Sequence, residues 1–405
     1  MTTSTSWTQI DLSDADARAD AVAYAQNVLE QAGEAHFLHD LEWALCGGDS
    51  DQGALAFRTG GDDGVLGFAL LLRQARPLRF QLGELTYYRQ KLTRYVLWSA
   101  PVIAGVPEDS EAWKAAARAF LDAVRRHISP SFEVIGVEGL RIDGPFHRLL
   151  YGDPDVARNY LLIEQGKSFE HQFIELPPTL EDYMNDLGKR SKKSLGYSRR
   201  KLFKDFDDDV TITCFDREDG VQAFLDHAIE ISKKTYQWRL LGLGLRDRDA
   251  LENRLVFAAR KGWLRNYIMY CSGSPVAFML GYQYNQCFYY TDVGFDPEYS
   301  KWSVGSILQL MVMEDLYARD NRPKTFDFST GFGDHKARFS NRILKEINVL
   351  LLPRSFRHAM LANTYKGLDG LAQSAISTVD RMGLKQTLKK SVRRLAASKT
   401  IRPFS

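Results

Sequence analysis

The fold is decided by the stretch Cys287-Phe288-Tyr289-Tyr290-Thr291-Asp292-Val293-Gly294-Phe295, by the turn over 296–303, and by the apolar segment that begins Val304-Gly305-Ser306. The aromatic and β-branched residues predict a strand, the apolar segment predicts a helix over 304–319, and 325–328 predicts a second strand. A helix that follows a strand through a turn presents free amide N–H groups at its positive end, where a phosphate binds without a basic side chain. The sequence therefore predicts a phosphate or diphosphate site at Ser303, Val304, Gly305 and Ser306; the alternative is an N-cap serine with a packing glycine.

Length and charge bound the organisation of the chain. At 405 residues the chain is too long for one ordinary core, so two domains are expected. The net charge of +2 predicts no polyanionic partner, but residues 354–405 carry +9 and leave −7 for the remainder. A basic tail on an acidic body indicates either an anionic surface nearby or a solvated helix.

The cysteines and the amino terminus indicate a compartment. The four cysteines have no C-x-x-C spacing, which favours reduced thiols, and the histidines form no metal-binding pattern. The segment Met1-Thr2-Thr3-Ser4-Thr5-Ser6 lacks the features of a secretion signal, and no window reaches the roughly 18 apolar residues of a membrane span. We expect a cytoplasmic protein whose membrane contact, if any, is peripheral.

Two similar runs of elements follow each other along the chain. The first half predicts helices over 14–31 and 36–45, several strands between 54 and 104, a crossover helix over 111–127, and strands over 132–136, 160–164 and 169–176. The second half predicts a helix capped by Thr179 that continues into a basic run, a helix over 224–236, and a three-stranded meander over 264–271, 276–284 and 287–295. The helix over 111–127 occupies the place of 304–319, which indicates a repeat of pattern without a repeat of residues.

Three groups of residues carry a resemblance to a known family. They are Leu180-Glu181-Asp182-Tyr183 with Lys189-Arg190-Ser191-Lys192-Lys193, then Gly294-Phe295-Asp296-Pro297-Glu298-Tyr299-Ser300 with Val304-Gly305-Ser306, and last Phe326-Asp327-Phe328 with Gly333-Asp334-His335-Lys336-Ala337-Arg338-Phe339. Their order resembles the GNAT acyltransferases, and more finely the CelD-type (cellulose-biosynthesis-like) group, which is related to the Fem-type aminoacyltransferases. The resemblance covers about 170–352 well and the first half loosely.

The resemblance implies an α/β (α+β) fold of two tandem GNAT-like domains, each a mixed, mostly antiparallel sheet flanked by helices. The expected divisions are an N-terminal domain over 1–166, a C-terminal domain with the acyl-CoA site over 167–353, and a basic helical tail over 354–405. The N-terminal domain is not expected to bind CoA, because the carboxylates of Pro107-Glu108-Asp109-Ser110-Glu111 repel a phosphate. The implied chemistry is direct transfer of an acyl group to an amine, with acetyl-CoA or another acyl-CoA as co-substrate and no metal.

Two departures from the family pattern concern catalysis. Family members have two glycines around a basic residue in the diphosphate turn, whereas this chain has only Gly305 there, with Ser303 and Ser306. The tyrosine acid that follows the second parallel strand is also missing, because residues 326–346 contain no tyrosine. One of the tyrosines of the meander is a candidate replacement.

The candidate donor-binding and catalytic residues lie at the ends of the two parallel strands. Asp292, Val293 and Gly294 are expected to pair with the pantetheine arm, in addition to the diphosphate residues 303–306; an ordinary strand end with a paired Asp292 is the alternative. Asp334, His335, Lys336 and Asp327 are candidate catalytic groups, since amine acylation requires a base to remove a proton. The alternative is a polar turn in which Lys336 pairs with Asp327 or Asp334.

The candidate acceptor site is basic and aromatic. Lys189, Arg190 and Lys193 belong to a cationic run that either is a solvated face or binds a phosphorylated acceptor. Tyr236 and Trp238 either cover the acceptor pocket or pack in the core. The basic amphipathic segment 384–395 either lies on an anionic bilayer or docks on the protein. A nucleic acid is a less favoured partner for the cationic run than a phosphorylated acceptor.

Three functions follow from these patterns. The first is acyl-CoA-dependent N-acylation, acetyl in the simplest case, of an amine on a sugar, a peptide or a lipid-linked envelope or polysaccharide precursor. The second is a non-catalytic binding module of polysaccharide biosynthesis on the same fold, and the third is a Fem-type transfer from aminoacyl-tRNA.

Overall fold

The computed structural model describes residues 5–33, 36–46, 53–60, 64–82, 85–129, 132–235, 238, 244–330 and 334–381. The chain divides into two compact units that are not contiguous in sequence. The first consists of Met1–Ala19, Gln52–Lys167 and Ile347–Ser405, and the second of Asp20–Asp51 and Ser168–Glu346. Residues 20–51 therefore belong with the second unit, although they fall within the N-terminal domain expected over 1–166.

The first unit contains a mostly antiparallel sheet, a separate two-stranded sheet formed by its fourth and fifth strands, and helices. Its strands are β1 (Ser6–Ile10), β2 (Ala54–Gly60), β3 (Leu66–Ala75), β4 (Leu78–Leu82), β5 (Leu85–Gln90), β6 (Thr93–Trp98), β7 (Val102–Ala104), β8 (Glu133–Arg141) and β9 (Tyr160–Glu164), and its helices are α3 (Glu111–His127), α4 (Pro145–Gly152), α5 (Pro154–Asn159) and α12 (Phe356–Arg381). The sheet order is β1-β2-β3-β6-β8, and only β6 and β8 are parallel. The crossover helix α3 begins at the predicted residue because the Ser110 hydroxyl accepts the amide of Trp113 at 3.2 Å.

The second unit has a similar arrangement around another parallel pair. Its strands are β10 (Phe169–Glu175), β11 (Val210–Phe215), β12 (Asn266–Cys271), β13 (Ser274–Tyr284), β14 (Cys287–Phe295) and β15 (Thr325–Asp327), and its helices are α2 (Leu41–Cys46), α6 (Leu180–Asp186), α7 (Lys189–Asp205), α8 (Val221–Lys234), α9 (Arg248–Arg260), α10 (Val304–Ala318) and α11 (Asp334–Phe339). The sheet order is β10-β15-β14-β13-β12-β11, in which only β14 and β15 are parallel.

Two elements cross the division between the units. Helix α1 (Ala15–Ala32) places its first turn in the first unit and the rest in the second. Strand β16 (Arg342–Pro353) contributes its first five residues to the second unit, where they pair with β10, and the remainder to the first.

Two apolar cores cover the two faces of the sheet in the second unit. Helices α6, α7 and α10 pack on one face, which we call the α10 face, with Tyr267, Met279 and Phe288 of the strands. Helices α2, α8 and α9 pack on the other, which we call the α8 face, with Ile268, Phe278 and Leu280. The alternation of adjacent residues between the two cores follows from the two-residue period of a strand.

The predicted fold class is confirmed, and the structure corrects three local predictions. The meander has a fourth strand, since β11 pairs antiparallel with β12, and α9 is an additional helix. The helix capped by Thr179 does not continue into the basic run, because Leu187 and Gly188 are extended and separate α6 from α7. The helix predicted at 304–319 is confirmed as α10.

Candidate functional site

The parallel strands β14 and β15 separate soon after they pair. Their pairing joins Cys287, Phe288 and Tyr289 to residues 325–327, after which β15 ends while β14 continues to Phe295 alongside β13. Between Tyr290 and Asp292 the register shifts by one residue, so Thr291 is a bulge, and its hydroxyl donates to the carbonyl of Leu280 at 3.1 Å. Beyond Tyr290 the edge of β14 that faces away from β13 therefore has no strand partner in the described part of the chain.

Helix α10 begins beside this open edge with unpaired amides. Ser303 is left-handed (φ 58°, ψ 39°), and its carbonyl accepts the amides of Ser306 and Ile307 at 2.9 and 3.1 Å. The amides of Val304 and Gly305 have no acceptor among the described residues, and the Ser303 side chain caps none. Two N–H groups at the positive end of a fifteen-residue helix are thus left for an external acceptor.

The open strand edge and the helix start form the walls of one cleft. Its volume is about 540 Å³, and it is lined by Thr235, Tyr290, Val293, Gly294, Phe295, Pro297, Ser300, Ser303, Gly305, Ser306, Gln309 and Phe339. Five of the seven residues predicted to bind the donor line it. The other two do not: the Val304 side chain is fully buried in the core, and Asp292 is exposed next to the cleft.

Gly305 allows a close approach to the helix start. A Cβ atom added there would lie 3.4 Å from Cδ1 of Phe295 on the opposite wall of the cleft. A larger side chain would extend into the space between the walls, because Gly305 lines the cleft. Gly305 therefore keeps the unpaired amides accessible.

Tyr290 and Asp292 leave β14 on opposite faces of the sheet because of the bulge. Tyr290 pairs with Gly281 and packs in the core of the α10 face, whereas Asp292 pairs with Leu280, which packs on the α8 face. Burial, reinforced by the charge of Asp292, raises the pKa of the Tyr290 phenol, so the phenol keeps its proton at neutral pH. The Asp292 side chain retains exposed surface but is surrounded by enough protein atoms that partial desolvation raises the pKa of its carboxyl.

Asp327 is part of a buried ionic chain. It faces away from Phe326 and Phe328, as the alternation predicts, but it points neither into the cleft nor to solvent. Its Oδ1 lies 2.6 Å from Nε2 of His171, whose Nδ1 lies 2.8 Å from Oε1 of Glu346. Burial alone would lower the pKa of His171, but the two carboxylates outweigh it and raise the pKa to about 9. Asp327 therefore holds an imidazolium, which corrects its expected place at the site mouth.

Lys336 stabilises the turn that follows β15. It is buried, and its Nζ donates to the carbonyls of Ser329 and Thr330 at 3.3 and 3.2 Å. Burial lowers the pKa of Lys336, with the charge of Asp327 acting in the opposite direction. No ion pair joins Lys336 to Asp327 among the described residues, so that predicted pairing is not observed, and the alternative pairing with Asp334 stays a prediction. The side chains of Asp334 and His335 lie outside the described part of the chain.

The predicted acceptor residues are surface groups near the cleft. Lys189, Arg190 and Lys193 are exposed in the first turns of α7. Arg338 of α11 donates to the carbonyl of Ser191 at 3.1 Å, which places the start of α7 beside the helix that contributes Phe339 to the cleft.

Of the aromatic residues predicted for the acceptor site, the structure describes Trp238, which follows α8 by four residues. Trp238 is partly buried, with the Arg246 guanidinium 4.5 Å from its ring, and its amide donates to the hydroxyl of Thr235 at 3.3 Å. Since Thr235 lines the cleft, Trp238 is one contact away from it. Tyr236 lies outside the described residues, as does the segment 384–395.

Gln309 and His171 carry no signal of a site in the sequence, and Tyr290 is distinguished there only as one of the tyrosines of the meander. In the sequence, Gln309 and Tyr290 fit the same periodic pattern as the apolar residues beside them, so the pattern does not indicate that they line a cleft. Among the described residues, no cluster of His, Cys, Asp or Glu could hold a metal ion, and no helix is long and apolar enough to cross a bilayer.

Comparison with known proteins supports the fold. Residues 189–337 match the family described as acetyltransferase (GNAT) domain. Among solved structures, FemX is similar, with 14% identity, a TM-score of 0.57, and coverage of 84% of this chain and 98% of FemX. A tandem GNAT protein from the clavulanic acid biosynthesis pathway matches with 10% identity, a TM-score of 0.47, and coverage of 87% and 99%. The C-terminal domain of a putative lysylphosphatidylglycerol synthetase from Agrobacterium fabrum matches with 12% identity, a TM-score of 0.47, and coverage of 86% and 96%. No curated protein matches.

Proposed function

We propose that this protein is an acyl-CoA-dependent N-acyltransferase of the CelD-type group, with acetyl as the simplest acyl group. The observation that carries the proposal is the pair of unpaired amides, on Val304 and Gly305, at one end of a cleft whose side wall is an unpaired strand edge. The match of residues 189–337 to the acetyltransferase (GNAT) domain family supports it, since the cleft residues Tyr290 to Gln309 lie within that range.

The cleft suits the two chemical parts of a CoA-linked donor. Its helix end offers N–H groups and a positive dipole, which bind a diphosphate. Its β14 edge offers main-chain groups that can pair with the amides of a pantetheine arm, as an added strand does. The volume of about 540 Å³ lies within the range of small-molecule sites.

Tyr290 and Asp292 are the groups proposed for the two proton transfers of the reaction. The attacking amine must lose a proton, and the departing thiolate must gain one. Groups on the two faces of β14 can reach opposite sides of a thioester carbonyl that is held where β14 and β15 diverge. Tyr290, kept protonated by its raised pKa, is the proposed acid that replaces the missing tyrosine. Asp292 is the proposed base in place of Asp327, because the Asp327 carboxylate is engaged by His171.

The acceptor is proposed to be an amine on a sugar, a peptide or a lipid-linked envelope or polysaccharide precursor. The exposed cations Lys189, Arg190 and Lys193 stand at the start of α7, beside α11, and would bind a phosphate on such an acceptor. The basic segment 384–395 is proposed to hold the protein at an anionic bilayer.

Calorimetric titration with acetyl-CoA tests the donor. We expect binding by the wild-type protein and loss of binding in Gly305→Glu, because a carboxylate at the helix start repels the diphosphate and occupies the cleft. Gly152→Glu is the matched control, since a Cβ at Gly152 of α4 meets no atom within 4 Å. Absence of binding by the wild type, or equal binding by Gly305→Glu, would contradict the proposal.

The exposed cations Lys189, Arg190 and Lys193 of α7 favour a Fem-type transfer from aminoacyl-tRNA as a second candidate function. Phosphate contacts of a nucleic acid make affinity fall steeply with salt concentration. Filter binding of tRNA at roughly 50 and 200 mM salt distinguishes the candidates. RNA affinity that is salt-sensitive and lost when Lys189, Arg190 and Lys193 are changed to Glu would support the tRNA donor. The absence of such affinity, together with acetyl-CoA binding, would exclude it.

A further inference from the structure

Gln309 is a buried amide that points into the cleft without a partner. It lies on α10, only 2% of its surface is exposed, and it is among the lining residues. Its Nε2 has no hydrogen-bond partner among the described residues. More than about nine in ten buried polar groups in native proteins are paired, so an unpaired one facing a cavity indicates an occupant that pairs it.

The position of Gln309 along α10 indicates which part of a donor it meets. Gln309 follows Gly305 by four residues, so the two share a face of the helix and lie about 6 Å apart along its axis. An extended chain with amide units advances about 3.5 Å for every three bonds. On that scale the two amide carbonyls of a pantetheine arm lie roughly 6 and 11 Å from the diphosphate, and the sulfur roughly 15 Å away.

We propose that Gln309 Nε2 donates a hydrogen bond to an amide carbonyl of the pantetheine arm and so selects donors that carry this arm. The inference rests on the proposed function, because it takes the diphosphate to lie at Val304 and Gly305. The acyl group lies beyond the reach of Gln309 on the scale given above, so Gln309 recognises the carrier and not the acyl chain. A donor without the two amides leaves the Nε2 group unpaired and binds less tightly.

The chain contains a matched control for this residue. Gln172 of β10 is 1% exposed, and neither polar atom of its side chain has a partner among the described residues, but it does not line the cleft. Methionine has nearly the volume of glutamine and no hydrogen-bond donor. Gln309→Met and Gln172→Met therefore make the same chemical change inside and outside the cleft.

The test measures the affinities of the two variants and the wild type for two ligands by calorimetry. Acetyl-CoA has the pantetheine arm, and 3′-phospho-ADP, its fragment, lacks it; the fragment is measured by displacement of acetyl-CoA. We expect Gln309→Met to weaken acetyl-CoA binding about 3- to 10-fold, the worth of one neutral hydrogen bond, and to leave 3′-phospho-ADP binding unchanged. Gln172→Met should bind both ligands as the wild type does.

Thermal unfolding of the ligand-free proteins adds a readout that separates recognition from folding. Replacement of an unpaired buried amide by an apolar side chain should raise the melting temperature in both variants. A lower melting temperature in Gln309→Met would show that the amide is paired within the protein and would overturn the inference.

The remaining outcomes are equally decisive. Unchanged acetyl-CoA affinity in Gln309→Met, which is expected if a water molecule satisfies Nε2, would overturn the inference and leave the proposed function standing. An equal loss for both ligands would place the effect at the helix start and overturn it as well. If the wild-type protein does not bind acetyl-CoA, the proposed function fails and the inference fails with it.

Discussion

Substitution of Glu346 by glutamine is expected to weaken the dependence of stability on pH that the buried chain Asp327–His171–Glu346 creates. In the wild type both ring nitrogens of His171 face carboxylates, at 2.6 and 2.8 Å, and the pKa of His171 is raised to about 9. The amide oxygen of the Glu346→Gln variant would still accept the hydrogen bond from Nδ1, but the side chain would carry no charge. The pKa of His171 should then fall toward its ordinary value.

The size of the effect follows from the difference between the folded and unfolded pKa values. With about 9 in the folded protein and 6.5 in the unfolded chain, the difference is worth on the order of 3 kcal/mol. Because the folded pKa is the higher one, this stability is fully present below about pH 6.5 and is lost as the pH rises toward about 9. Between these values the free energy of unfolding should fall by about 1.4 kcal/mol per pH unit.

Urea unfolding followed by circular dichroism between about pH 6 and 9.5 measures this slope, and the titration of the His171 ring by NMR measures the pKa directly. Glu175→Gln is the matched control, since Glu175 also lies in the second unit but pairs with Arg342 at an exposed position. The slope should be smaller in Glu346→Gln than in the control, because surface ion pairs contribute little.

Two results would refute this reasoning. The first is a comparison of unfolding free energies between about pH 6.5 and 9 in which the wild type loses no more stability than Glu346→Gln does. The other is an NMR pKa for His171 at or below its ordinary value, which would mean that desolvation of the ring offsets or outweighs the two carboxylates.

Three further predictions concern the proposed chemistry and location. Tyr290→Phe should lower kcat for thiol release from acetyl-CoA about 100-fold with little change in acetyl-CoA affinity, since it removes a proposed proton donor; an unchanged kcat would exclude that role. Asp292→Asn should lower activity toward a panel of amino sugars and short peptides by about 100-fold or more. It should also remove the decline of activity at low pH, because a carboxylate acts as a base only above its pKa. A decline that is retained in the variant would point to another base. The full-length protein should float with phosphatidylglycerol vesicles, and K389E/K390E should not, because each basic residue near an anionic surface contributes about 1 kcal/mol; equal flotation would contradict the tail's role.

Local sequence was sufficient wherever one element decides the feature. The residues from Cys287 to Phe295 and the apolar segment after Ser303 predicted one strand-to-helix crossover, and the pattern over 111–127 predicted the other crossover helix; both are present. The break at Gly188 was missed, because a glycine ahead of a helix-forming run does not by itself show whether the chain stays helical. The domain divisions remain predictions, although the compact units show residues 20–51 packed with the second half.

The sequence by itself determined the strand–turn–helix order, the residues at the start of α10, and hence the expectation of a diphosphate site, because these depend on contacts between near neighbours in the chain. The tertiary structure alone decided that Asp327 meets His171 across 156 positions, that His171 meets Glu346 across 175, and that Gln309 and Tyr290 share a cleft. The physical reason is that strand pairing sets which distant side chains become neighbours. Burial at those junctions then sets their charge and their unmet hydrogen bonds, and neither is encoded in the local pattern.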